Sequence, residues 1–157
     1  MMKKWLDIHS PSCLSSIKQV QLPRIQAAKA KGCDGIDPDN LDPYQNEQSH
    51  GITQSDSEAY VNWLGTTAHS QGLACGLKNA GALVPKVLAN VDYSISEQCL
   101  KYNECDVYQP FNDAGKPHWD VEYGSNYKSC PANAPSRMMQ YSQDALNAKW
   151  INLNCQA

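Results

Sequence analysis

Segments that read as strand and as helix follow one another along this chain in repeated order, and few folds accept that order. Parallel strands cannot be joined by a tight turn, so a strand, a helix and a second strand in sequence pair in parallel through a right-handed crossover. The order opens on "KKWLDIHS", a short strand ending in polar residues. In "SIKQVQLPRIQAAKAKG", Ile17, Val20, Ile25 and Ala28 recur at helical spacing, Pro23 either restarts or kinks the helix, and Gly32 closes it. "CDGID" is the next strand. "TQSDSEAYVNWLGTTAHSQG" reads as a helix with a capping box at Ser55 and Glu58, an apolar stripe of Tyr60, Trp63, Leu64 and Ala68, and Gly72 at its end. The strand "LACGLKN" follows, then a short helix near "LVPKVLAN", the strand "DYSIS" and a helical turn "EQCLKY". The chain finishes with the strands "VYQPF" and "PHWDVEY", a helix near "SRMMQYSQDALN" and a last strand "WINL". This pattern predicts an α/β fold with parallel strands.

Bulk properties narrow the function. At 157 residues, 41% hydrophobic and 18% charged, the chain is about one average domain. A net charge of -3 with no Lys/Arg stripe argues against a phosphate-backbone binder, so no nucleic acid partner is expected. No apolar run approaches the roughly 20 residues that cross a bilayer, so no membrane partner is expected either. "MMKKWLDIHS" has a basic start with no apolar stretch behind it and does not read as a signal peptide. Seven cysteines are many for a cytosolic domain. Cys99 and Cys105 bracket "LKYNE", a loop short enough for a local disulfide, and Cys130 and Cys155 flank the last predicted helix as a second candidate pair. Cys33 and Cys75 lie in apolar strand-like runs and read as buried thiols, which leaves Cys13 over.

Ligands of parallel α/β folds meet the carboxyl ends of the strands, whether the sheet is open or closed into a barrel. That rule selects Asp37, Asp39 and Asn40 at one strand end, Lys78 and Asn79 at the next, Glu97 and Gln98 at the third, and Glu122 and Tyr123 at the fourth. The stretch "DPDNLDP" alone fits a loop of Asx turns stiffened by Pro38 and Pro43. Three further strand ends that also carry charged or amide groups tip the balance toward a site. "HWDVE" sets His118, Asp120 and Glu122 at period two on one strand face, residue types that suit a metal. Those positions span about 13 Å at roughly 3.3 Å per residue, too far for one ion without a bend. No metal and no cofactor are therefore expected. Tyr44, Tyr108 and Trp119 read as packing aromatics rather than sugar platforms.

The runs "GCDGIDPDNLDPY", "AYVNWLGTTAHSQGLACGLKNA", "ISEQCLKYNECDVYQPFNDAGKP" and "VEYG" resemble glycoside hydrolase family 114, the endo-α-1,4-polygalactosaminidases, whose members form a (β/α)8 barrel. The resemblance runs from "WLDI" to about Tyr123. It implies that residues 1–157 are a catalytic domain incomplete on its N-terminal side, a partial barrel of about units three to eight. Apolar residues near Trp5 to Ile8 and Trp150 to Leu153 would then be unusually exposed, and the open edge could self-associate.

The same resemblance implies cleavage of polysaccharide of α-1,4-linked galactosamine or N-acetylgalactosamine, outside the cell. The alternative is a truncated remnant that at most binds carbohydrate. Glycosidic cleavage needs one carboxylate at the anomeric carbon and one carboxylic acid at the departing oxygen. The resemblance maps the nucleophile onto Asp39 in "PDN" and the acid/base onto Glu97 in "SEQC", with the carboxyls about 5 to 6 Å apart for retention. Glu97 alone would also fit a carboxylate that favours the positive end of a helix dipole. Asp37, Asn40, Lys78, Asn79, Glu122 and Tyr123 would line the sugar subsites, although Lys78 also fits a simple counterion of the acidic rim.

Overall fold

Asp7 diverts the chain where the first strand was expected. In the computed structural model, which describes residues 5–46, 50–124, 129–131, 135, 137–142 and 149–155, Trp5–Ile8 form no strand. Asp7 Oδ1 instead accepts the N–H groups of His9 at 3.0 Å and Ser10 at 2.9 Å, and this turn delivers the chain into helix α1 (Pro11–Ala30). The helix runs through Pro23 without ending there. Ile25 is its buried anchor, whereas Val20, expected on the apolar face, is 62% exposed. Gly32 closes it at φ 82°, a left-handed geometry that favours glycine, and Cys33 N–H returns to Ala28 O at 3.1 Å.

The elements divide into two compact units at Asp92/Tyr93. In the first, α1 is followed by β1 (Gly35–Ile36), the one-turn α2 (Pro43–Asn46), α3 (Gln54–Ser70), β2 (Ala74–Lys78) and the short α4 (Val84–Val87) between two 3-10 turns. β1 and β2 pair in parallel, with Ile36 opposite Cys75. The capping box of α3 is formed by Thr53 and Asp56, two residues earlier than the sequence suggested. Thr53 Oγ1 accepts Asp56 N–H at 3.2 Å and Asp56 Oδ2 accepts Thr53 N–H at 2.8 Å. Its buried stripe is Ser57, Val61, Leu64, Gly65 and Ala68. Tyr60 and Trp63 stay half-buried, stacked at 5.9 Å, with Lys18 Nζ 5.3 Å from the Trp63 ring. The core closes through Leu77, Leu83, Val84, Val87 and Val91. Cys75 is buried as expected, and burial, reinforced by Asp92 and Asp37, pushes its thiol up to about 12. Cys33, expected to be buried, is exposed, because it lies in the turn after α1 rather than in the strand.

The second unit holds β3 (Tyr93–Glu97), α5 (Cys99–Tyr102), a 3-10 turn leading into α6 (Gln109–Asp113), β4 (His118–Tyr123), β5 (Arg137–Tyr141) and β6 (Trp150–Asn154). β3, β4 and β5 run parallel, and β6 is antiparallel to β5. Three expectations change here. "VYQPF" is helical: Pro110 lies in the first turn of α6, Gln109 bonds Asp113 at 2.9 Å, and Phe111 is fully buried. "RMMQY" is a strand, with Met138 and Gln140 alternating into the interior; of the rest of that predicted helix, residues 136 and 143–147 lie outside the described residues. The final strand returns antiparallel, so the Cys130–Cys155 disulfide flanks a strand pair rather than a helix. The Cys99–Cys105 disulfide is also formed.

The fold is therefore α/β, with the strand and helix order of a partial (β/α) barrel and an antiparallel last strand. Of the apolar residues expected to be exposed, Leu6, Trp150 and Ile151 are exposed at 56%, 54% and 47%, Trp5 and Leu153 are half-buried, and Ile8 is buried. Among the described residues no helix is long and apolar enough to cross a membrane.

Candidate active site

Backbone strain marks where the strands end. Five non-glycine residues among those described take left-handed φ; Asn79 and Ala80 directly follow β2, Gln98 directly follows β3, and Asn40 lies in the loop beyond β1. Asn tolerates this region, but Ala and Gln do so only when the surroundings hold them there, which is common around functional sites.

In the first unit, β1 runs directly into Asp37, Pro38, Asp39 and Asn40. The Asp39 side chain is 63% exposed, with Oδ1 lying 3.8 Å from Lys78 Nζ at the end of β2. Asn40 Nδ2 donates to Asp39 Oδ2 at 3.2 Å. Partial burial raises the Asp37 carboxyl above the usual range; the nearby Asp39 charge pushes the same way, and Lys78 opposes both. Beside these carboxyls lies a cavity of about 580 Å³. Its floor is apolar, from Ile8, Ile25, Leu41 and Leu64, and Arg24 joins Asp37 and Asp39 among its polar lining. Arg24 lay outside the sequence reading, since a single cation on a long helix carries no motif.

In the second unit, Glu97 ends β3 and Tyr123 ends β4. Tyr123 Oη donates to Glu97 Oε1 at 2.6 Å, so this tyrosine, expected in a sugar subsite, rests on the expected acid/base. Glu122 is placed differently from the other expected subsite residues. It is fully buried, and its Oε1 accepts the N–H groups of Leu100 at 3.0 Å and Lys101 at 3.3 Å. Alternation along a strand puts neighbours on opposite faces, which is why Glu122 and Tyr123 part company.

Glu122 belongs to a buried polar layer with Ser94, Ser96, His118, Asp120 and Gln140. Ser96 Oγ donates to Asp120 Oδ1 at 2.6 Å and lies 2.9 Å from His118 Nε2, which fits an Nε2–H tautomer donating to the hydroxyl. Cys99 N–H also reaches Asp120 Oδ1, at 3.2 Å. The period-two spacing of "HWDVE" thus did place three polar groups on one face. They engage Ser96 and the backbone of α5, and among the described residues no three His, Cys, Asp or Glu side chains converge as a metal site would need.

Burial, with the neighbouring Glu122 carboxyl, pushes Asp120 up to about 7, and burial lowers His118 to about 4. These shifts act on stability with opposite signs. Asp120 contributes stability that is fully present below its unfolded pKa of about 3.9 and is lost as pH rises through about 7. His118 contributes stability that is present above about 6.5 and is lost as pH falls through about 4. Each slope approaches 1.4 kcal/mol per pH unit, so the two nearly cancel between about pH 4 and 6.5. Asp120→Asn should leave the histidine slope unopposed. Urea melts at pH 4.5 and 6.5 are expected to show the variant gaining about 2 to 3 kcal/mol more than the wild type over that interval. His118→Gln should shift the balance the other way, and parallel pH profiles for all three proteins would contradict this assignment.

Comparison with known proteins adds an independent line. The family model described as "Glycoside-hydrolase family GH114" matches residues 2–153. A comparison with curated proteins gives no match. Among solved structures, Aspergillus fumigatus Ega3 in complex with galactosamine is 44% identical with a TM-score of 0.71, covering 82% of this chain and 49% of that one. The chain thus spans about half the length of that relative. The glycoside hydrolase domain of PelA from Pseudomonas aeruginosa, at 13% identity and TM-score 0.61, covers 98% of this chain and 70% of that one, a likeness of fold alone.

Proposed function

Because the chain belongs to glycoside-hydrolase family GH114, we propose that it works as a glycosidase on α-1,4-linked galactosamine polysaccharide. One observation carries the reading: 44% identity over most of the chain to a structure that holds galactosamine. Asp39 is the nucleophile. Its exposed carboxylate lies beside the Lys78 ammonium, which orients it. Glu97 is the acid/base, held by the Tyr123 hydroxyl. In the first step an Asp39 oxygen bonds to the anomeric carbon as the bond to the leaving oxygen breaks, and Glu97 gives that oxygen its proton. In the second, Glu97 takes a proton from water as the hydroxyl displaces Asp39, restoring both carboxyls. Asp37, Asn40 and Asn79 contact the sugars. The acidic stretch around Asp37, Asp39 and Asp42 suits a substrate whose amino groups are cationic, which favours deacetylated over acetylated polymer. Two disulfides fit an oxidising compartment and hence secretion.

A second reading has its own support, since the chain spans only about half the length of its 44% identical relative. It makes residues 1–157 a carbohydrate binder without turnover. Incubation with partly deacetylated polygalactosamine separates the two. The hydrolase reading expects new reducing ends to accumulate linearly with protein, and indifference to EDTA. Retention of the polymer with no new reducing ends would leave the binding reading in its place.

A further inference from the structure

We infer that Asp120, Glu122 and Tyr123 of β4 are positioning residues for Glu97, fixing from both faces of the strand the segment that presents its carboxyl. The inference rests on the reading of Glu97 as acid/base. Four successive amides after Glu97 are taken by β4. Gln98 N–H bonds Val121 O at 2.8 Å, Cys99 N–H bonds Asp120 Oδ1 at 3.2 Å, and Leu100 and Lys101 N–H both bond Glu122 Oε1, at 3.0 and 3.3 Å.

The segment needs this support. Gln98 sits at φ 62° and ψ 30°, a left-handed geometry unfavourable for a side chain of its kind. The helix it enters, α5, is a single turn, too short to be stable alone. Its first N–H groups have no intrahelical partners, and a buried donor left unmet is costly. Asp120 and Glu122 meet them from the buried face. Tyr123, one residue on, projects from the other face and grips the Glu97 carboxyl at 2.6 Å. The Cys99–Cys105 disulfide anchors the same turn. Moving α5 would therefore move Glu97, although neither Asp120 nor Glu122 touches it in the hydrogen bonds above.

The test uses the full chain with Glu122→Met, which removes the acceptor, Glu122→Gln, which keeps one, and Tyr123→Phe. In Glu122→Met, amide exchange at Leu100 and Lys101 should speed about tenfold while that of β4 itself is unchanged. The kcat on polygalactosamine should fall about 100-fold with KM nearly constant, the mark of a displaced catalytic group. Glu122→Gln should restore both. Tyr123→Phe, outside the buried layer, should lower kcat and shift the pH–rate limb that reports Glu97, so it decides the matter even if Glu122→Met fails to fold. Unchanged exchange and kcat in Glu122→Met, failure of Glu122→Gln to rescue, or an unshifted profile in Tyr123→Phe would overturn the inference. A wild-type chain that releases no reducing ends would instead sink the reading of Glu97. In that event, exchange in the Glu122 variants and carbon-13 titration of the Glu97 carboxyl in Tyr123→Phe still decide the positioning.

Discussion

Asp39→Asn and Glu97→Gln should each slow release of reducing ends from polygalactosamine by about a thousandfold or more, with melting curves that overlay the wild type. The size follows from the roles: loss of a nucleophile removes the covalent route, and loss of an acid/base removes a factor of about 10² to 10⁴. Stability should be spared because the Asp39 side chain is 63% exposed, and surface substitutions usually stay within about 0.5 kcal/mol. Gln at position 97 still offers Tyr123 an acceptor oxygen. Asp113→Asn, at the end of α6, serves as a control that changes charge without touching either carboxyl. Turnover by either carboxylate variant within tenfold of the wild type would contradict the assignment.

Gly65→Ala should unfold the chain more readily by about 3 kcal/mol, a large fraction of the stability of a small domain. Ala is normally the better helix former, by about 1 kcal/mol, so propensity alone predicts the opposite sign. Packing decides, because a Cβ at Gly65 would sit 1.9 Å from the Asn90 carbonyl oxygen and 2.9 Å from its carbon. Both are backbone atoms and cannot rotate away. Either α3 or the 3-10 turn Leu88–Asn90 must shift, disturbing the buried residues Leu64, Ala68, Val87 and Val91. Urea denaturation at constant pH measures this directly; an unchanged or higher midpoint would show that the turn yields without cost.

What the sequence disclosed followed strong local signals. The strand ends at Asp37, Lys78, Glu97 and Tyr123 were legible because apolar runs stop there and polar residues begin. Both disulfides formed between the cysteines that spacing paired. Failures came where partners decide the outcome. Arg137, Met138, Met139 and Gln140 are good helix formers, yet pairing with β4 makes them strand. Val107 and Tyr108 favour strand, yet Pro110 and the buried Phe111 draw the segment into helical turns. The capping box of α3 reads as Ser55 and Glu58, but Thr53 and Asp56 offer an overlapping pattern two residues earlier, and that is the one formed. Glu122 and Tyr123 illustrate the sharpest limit: alternation separates their faces, but only the neighbouring strands and helices determine which face is buried.

The most direct measurement follows the digestion of polygalactosamine by proton NMR in its first minutes, before mutarotation mixes the anomers. Two displacements at the same carbon, by Asp39 and then by water, preserve configuration, so the account predicts that new reducing ends appear first as the α-anomer and that Glu97→Gln produces none. First appearance of the β-anomer would mean a single displacement with Asp39 acting as base rather than nucleophile. A wild-type spectrum without new reducing ends would contradict the hydrolase itself.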